Sequence, residues 1–170
     1  MTQDIDAKLA TTRIRATFTV EPVGNIVGDV AGLWGDSLLQ LLQMFYPAPV
    51  CKKTNVVVTE LVTNVLENIA FPESGMKLDV SVDGAVLAIE VSNRVTPDQY
   101  ASVQARLDRL GTSEEARKLL AQTIKERRVA RAKGGLGFMR LVSENKFKVS
   151  ARYTDGILKV LAEYSLKDRP

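Results

Sequence analysis

The chain has 170 residues, 45% hydrophobic and 25% charged, enough for one domain with a real core. Its 23 basic and 20 acidic residues leave a formal charge of +3, too small an excess to call for a nucleic-acid partner. Histidine is absent and Cys51 is the one cysteine, which excludes Ser-His-Asp and Cys-His catalysis, histidine-ligated or cysteine-rich zinc sites and an internal disulfide.

Sparse cysteine fits a reducing, cytoplasmic location. No apolar run approaches the roughly 20 residues of a membrane-spanning helix, and the opening MTQDIDAKLATTR is too polar to read as a secretory signal.

Residues 1–12 read as a flexible arm and residues 13–170 as a single domain. Arg13 to Val20 alternates polar and apolar side chains, the period of a half-buried strand. Residues 23–46 read as a helix that Pro47 and Pro49 end, although Gly24, Gly28, Gly32 and Gly35 weaken its first half. A second helix is expected from Cys51 to Ala70.

Two strands follow, Lys77–Val82 and Val86–Ser92, joined at Asp83-Gly84, because glycine accepts the positive φ a tight hairpin requires. Pro97–Leu110 and Ser113–Ala130 carry helix-favouring charged residues with Gly111 between them. A glycine cluster then leads into a short helix ending near Glu144. A second hairpin closes the chain, Lys146–Tyr153 and Ile157–Leu166 around Asp155-Gly156. This order predicts an α+β two-layer sandwich, a mixed and mainly antiparallel sheet with helices on one face.

Two places can carry chemistry. In the helix after Cys51, Val58, Leu61, Val62, Val65, Leu66 and Ile69 share one face, which is expected to pack on the sheet. Glu60, Asn64, Glu67 and Asn68 fall opposite, with Val56 and Val57 one turn earlier on the same side. The four-residue spacing from Glu60 to Asn64 brings an acid and an amide together on adjacent turns. A carboxylate can take a proton or orient water, and an amide oxygen is a hard ligand for Mg²⁺. The same pattern also describes the solvated face of an amphipathic helix.

The second place is Lys133-Gly134-Gly135-Leu136-Gly137-Phe138-Met139. Glycines before a helix let backbone N–H groups approach an anion, although a plain tight turn uses glycine as readily. No Lys-Ser or Lys-Thr follows, so this is not a Walker A loop. The stretch from Arg106 to Lys133 holds nine basic and four acidic residues, more than the chain's whole positive excess. Arg127, Arg128, Arg131 and Lys133 lie nearest the glycines and suit phosphate oxygens.

A helix with Glu60-Leu-Val-Thr-Asn64, a hairpin, a variable helical stretch and then Gly134-Gly135-Leu136-Gly137 resembles the histidine-kinase-like (GHKL, Bergerat) ATPase fold over roughly residues 13–166. Within it the chain looks most like the small anti-sigma-factor serine kinases. The usual Asp-x-Gly-x-Gly box is replaced by Ser92-Asn93-Arg94-Val95-Thr96, and Asn68 stands where a histidine often follows the acid-and-asparagine motif. In lacking that box the chain is similar to the SiaB-like bacterial protein kinases.

The resemblance implies a cytoplasmic Ser/Thr protein kinase, dependent on ATP and Mg²⁺, acting on a small STAS-like anti-anti-sigma partner. An opposing PP2C-type phosphatase would complete the partner-switching pathway, with a homodimer among the possible forms. Glu60 would be the general base and Asn64 the Mg²⁺ ligand, seconded by Asn68. Asn93 would meet adenine, and Lys133, Gly134, Gly135 and Gly137 the phosphates. The alternative is a partner-binding module on the same fold that has lost nucleotide binding. A nucleic-acid role for the basic stretch lacks both a motif and interleaved aromatic residues.

Overall fold

The computed structural model describes Ala7, residues 10–130 and residues 137–167. Most of the expected N-terminal arm, and Arg131, Lys133, Gly134 and Gly135 of the glycine segment, lie outside the described residues.

The first strand, β1 (Arg13–Val20), buries alternate residues partway, as its pattern predicts. The next segment departs from expectation, because its helix α1 spans only Val30–Leu42. Residues 23–25 instead form a 3₁₀ turn whose backbone N–H groups bond Ser74 and Pro72, at 2.8 Å each. Asp29 then caps α1 by accepting from Gly32 N at 2.8 Å.

Helix α2 (Ala48–Leu66) starts three residues earlier than expected and stops four earlier. Pro47 and Pro49 open this helix rather than merely closing the previous one, since proline's fixed φ and missing N–H suit a first turn.

The hairpin of β2 (Met76–Asp83) and β3 (Val86–Arg94) pairs Asp83 with Val86, so its two-residue turn is Gly84-Ala85, one residue later than the Asp-Gly signal suggests. Gly84 has φ +59° at the first turn position, the conformation glycine supplies freely. Helix α3 (Pro97–Asp108) begins with a full capping box: Thr96 accepts from Gln99 N, and the Gln99 side chain accepts from Thr96 N. Helix α4 (Ser113–Ala130) and the short α5 (Gly137–Ser143) follow. Strands β4 (Lys148–Thr154) and β5 (Ile157–Ser165) close on Asp155-Gly156, both with positive φ. That is the type I′ geometry matching strand twist.

The sheet has the order β1-β2-β3-β5-β4. Every pairing is antiparallel, so the expected mixed sheet is corrected to a wholly antiparallel one among the described residues. Helices cover one face, giving the α+β two-layer arrangement.

The core lies between them. Met76, Leu78, Val80 and Val82 of β2, Leu87, Ile89 and Val91 of β3, and Val57, Val58, Leu61 and Val62 of α2 are all buried. Val57 therefore belongs to the core and not to the side of Glu60, while Val56 stays 41% exposed. Trp34 and Tyr46 are buried too, whereas Phe45 is exposed. No helix among the described residues is long and apolar enough to cross a membrane.

Candidate functional site

The inward row of β3 runs Leu87, Ile89, Val91 and then Asn93, so the alternation that buries aliphatic residues also buries an amide, 8% exposed. Its Nδ2 donates to the Arg94 carbonyl at 3.3 Å. Above this strand end lies a cavity of about 110 Å³, room for several waters. Leu61, Asn64, Val65 and Asn68 form its α2 side, Gln99, Ser102, Val103 and Arg106 its α3 side, and Phe138 of α5 contributes to the wall.

Asn93 therefore meets Asn64 and Asn68, distant from it in sequence, around one space. Asn64 is half-buried, and its Nδ2 is inaccessible to solvent with no hydrogen-bond partner among the described residues. Such an atom is uncommon, because an unmet buried donor costs about 1–3 kcal/mol. Asn68 lies just past the end of α2, where its Nδ2 donates to the Asn64 carbonyl at 2.8 Å. The Asn68 carbonyl in turn accepts from Gln99 Nε2 at 2.8 Å. That bond ties α3 to the end of α2 and holds the cavity's two sides in register.

Glu60 stands beside the cavity. A Cβ added at Gly137 would lie 2.6 Å from Glu60 Oε2 and 3.5 Å from Asn64 Nδ2. The start of α5 thus sits directly on the acid and amide of α2, and only glycine fits there without displacing the carboxylate. Glu60 is half-buried and forms no ion pair or hydrogen bond with another described residue. Glu67 is exposed at the end of α2 and does not line the cavity.

The described residues hold no cluster of three or more Asp, Glu or Cys able to grip a metal by themselves. A cation here would be held by amide oxygens together with oxygens of its own ligand and water, the habit of Mg²⁺ rather than Zn²⁺. Cys51 offers no chemistry to the site. Burial pushes its thiol up from its ordinary value, and its Sγ lies 3.5 Å from the Tyr46 carbonyl, inside the core.

A wider cleft of about 620 Å³ lies between the end of α3 and the start of β4, lined among others by Leu110, Thr112, Lys146 and Lys148. It gathers none of the residues singled out in the sequence, and no lining side chain carries a buried polar atom without a partner.

Sequence reasoning missed Gln99 and Ser102, and it met Arg106 only as the start of the basic stretch and Phe138 only as a neighbour of the glycines. The Thr96-x-x-Gln99 spacing signals the start of a helix, but not that Gln99 also reaches back to Asn68. Neither models of protein families nor curated proteins match this chain.

Proposed function

We propose that the chain binds magnesium and ATP and transfers the terminal phosphoryl group to a serine or threonine of a small STAS-like anti-anti-sigma partner. A PP2C-type phosphatase would reverse the modification. One observation carries this reading: the unpartnered Asn64 amide lies on the cavity wall, beside the Glu60 carboxylate seated against Gly137. Buried polar groups are mostly paired within a fold; Asn64 Nδ2, a donor on the cavity wall, has no partner among the described residues, and a phosphate oxygen would complete it.

The residues present fit the group. Mg²⁺ keeps several waters and takes other ligands from phosphate oxygens, so Asn64, seconded by Asn68, suffices on the protein side. Bound magnesium-ATP supplies the phosphoryl group and neutralises charge developing on its oxygens. Glu60 accepts the proton of the incoming hydroxyl, and the absence of a Cβ at Gly137 leaves room for its carboxylate. The Asn93 oxygen can accept from the adenine amino group, although an amide presents donors that an aspartate lacks. The flank of Leu61, Val65, Val91 and Phe138 offers an apolar lining for a planar base. Lys133, Gly134 and Gly135 are assigned to the phosphates.

The test is a calorimetric titration with ATP, with and without Mg²⁺, on the wild type and Asn64→Ala. The expected result is magnesium-dependent binding that the substitution abolishes. No binding up to millimolar ATP overturns the reading. It would favour a second, a partner-binding module without nucleotide, for which the Asn93 bond to Arg94 speaks because that amide already engages a neighbour.

A further inference from the structure

Among the described residues that line the cavity, Arg106 is the one that is charged; the rest are aliphatic side chains, amides, Ser102 and Phe138. Gln99, Ser102, Val103 and Arg106 follow i, i+3, i+4, i+7 spacing, so a single stripe of α3 faces the space. The Gln99–Asn68 bond fixes this stripe relative to α2. Arg106 is exposed and has no carboxylate partner among the described residues. Among the described residues no acid lines the cavity, and Glu60 stands beside it with no ion pair to Arg106. A lone, unneutralised guanidinium at a small amide-lined cavity suits an anion, and arginine meets phosphate with two parallel N–H bonds.

We infer that Arg106 contacts the phosphates of the cavity's ligand and gives it a preference for phosphorylated nucleosides over bare ones. The assignment rests on the nucleotide reading above and adds a binding residue from the start of the basic stretch, one the sequence alone did not assign to the phosphates. A purely structural role is the alternative, a cation in the last turn of α3 offsetting the carbonyl end of the helix. The two differ in what they change. A structural role alters stability, whereas a phosphate contact alters ligand preference.

The experiment compares magnesium-ATP and adenosine on the wild type, Arg106→Gln and Arg106→Lys. Calorimetry follows ATP, ligand-observed NMR follows the weaker adenosine, and thermal unfolding checks each variant. The expected result is about a tenfold loss of ATP affinity in Arg106→Gln, from one charge-assisted pair. Adenosine binding and Tm stay unchanged, and Arg106→Lys recovers part of the loss. Equal ATP affinity in the wild type and Arg106→Gln overturns the assignment, as does an equal loss for ATP and adenosine. If the wild type binds neither ligand, the nucleotide reading itself fails and the assignment falls with it.

Discussion

Two polar regions of this molecule use the same kinds of side chain in opposite ways. On the open face of the sheet, Asp79 of β2 lies directly across from Glu90 of β3, a pairing of like charges that alone would destabilise the ladder. Each acid has its own answer. Asp79 takes Lys77 Nζ at 2.6 Å and Thr17 Oγ1 at 2.6 Å, with Arg15 at 4.0 Å, while Glu90 takes Lys159 at 3.4 Å. Around the cavity, by contrast, among the described residues Glu60 has no such partner, Asn64 Nδ2 is shut away from water unbonded, and Arg106 has no acid. Polar groups that close on one another hold a fold together, and groups left open beside a cavity await something else.

The comparison can be broken at several points. The largest effect belongs to Glu60→Gln, which keeps the shape and removes the base. Phosphotransfer to the partner is expected to fall by about 10²–10⁴-fold, with ATP affinity little changed, read as phosphate incorporation under single-turnover conditions. Unchanged transfer would remove Glu60 from the chemistry.

Asn64→Leu makes the opposite kind of test. A buried unpaired amide costs stability, so an apolar group of similar size is expected to leave Tm equal or higher while abolishing ATP binding. A large drop in Tm would mean that the amide is satisfied in the folded chain and is structural after all.

The smallest effect is on the open face, with Asp79→Asn. Burial pushes the Asp79 carboxyl up, but the hydrogen bonds of Lys77 and Thr17 and the charges of Lys77 and Arg15 outweigh it and hold the group below its ordinary 3.8. Because the folded-state value is lowered, its stabilisation is present at neutral pH. It is lost as the pH falls below that ordinary value, through the lower folded-state one. Asp79→Asn is therefore expected to lose about 1 kcal/mol or less at pH 7. The difference from wild type should shrink in acid, with ATP binding untouched throughout. A pH-independent difference in denaturant titrations would show that the carboxylate's charge is not what matters.

Much of this was legible in the residues. Alternation placed the strands, Asp155-Gly156 placed one hairpin turn, and the spacing of Glu60 and Asn64 placed both on the non-core side of α2. Local chemistry misled where long-range bonds won. Val23 and Gly24 form backbone bonds to Ser74 and Pro72, residues about fifty positions away, and this keeps them out of the helix their neighbours suggest. Val57 sits near the boundary of the apolar arc, where spacing alone could not decide its side. The α3 wall was invisible for a related reason. A helix with no buried residue of its own shows only a weak apolar stripe, and its place over the cavity comes from partners far along the chain, the Gln99 bond to Asn68 and the stacking of Tyr100 on Tyr153.

The strand order has a consequence for how freely this site can change. Of the four pairings in the sheet, two are tight hairpins, and the other two, β1 with β2 and β3 with β5, each close a long excursion of chain. The α2 wall of the cavity arrives on the first excursion, and Gln99, Arg106 and Phe138 arrive on the second. Closure entropy rises only with the logarithm of length, so doubling a loop of this kind costs about 0.6 kcal/mol. The turn at Gly111, between α3 and α4, can thus take up inserted residues with little loss to the sheet. One rigid platform can in this way carry many versions of the wall that Arg106 occupies.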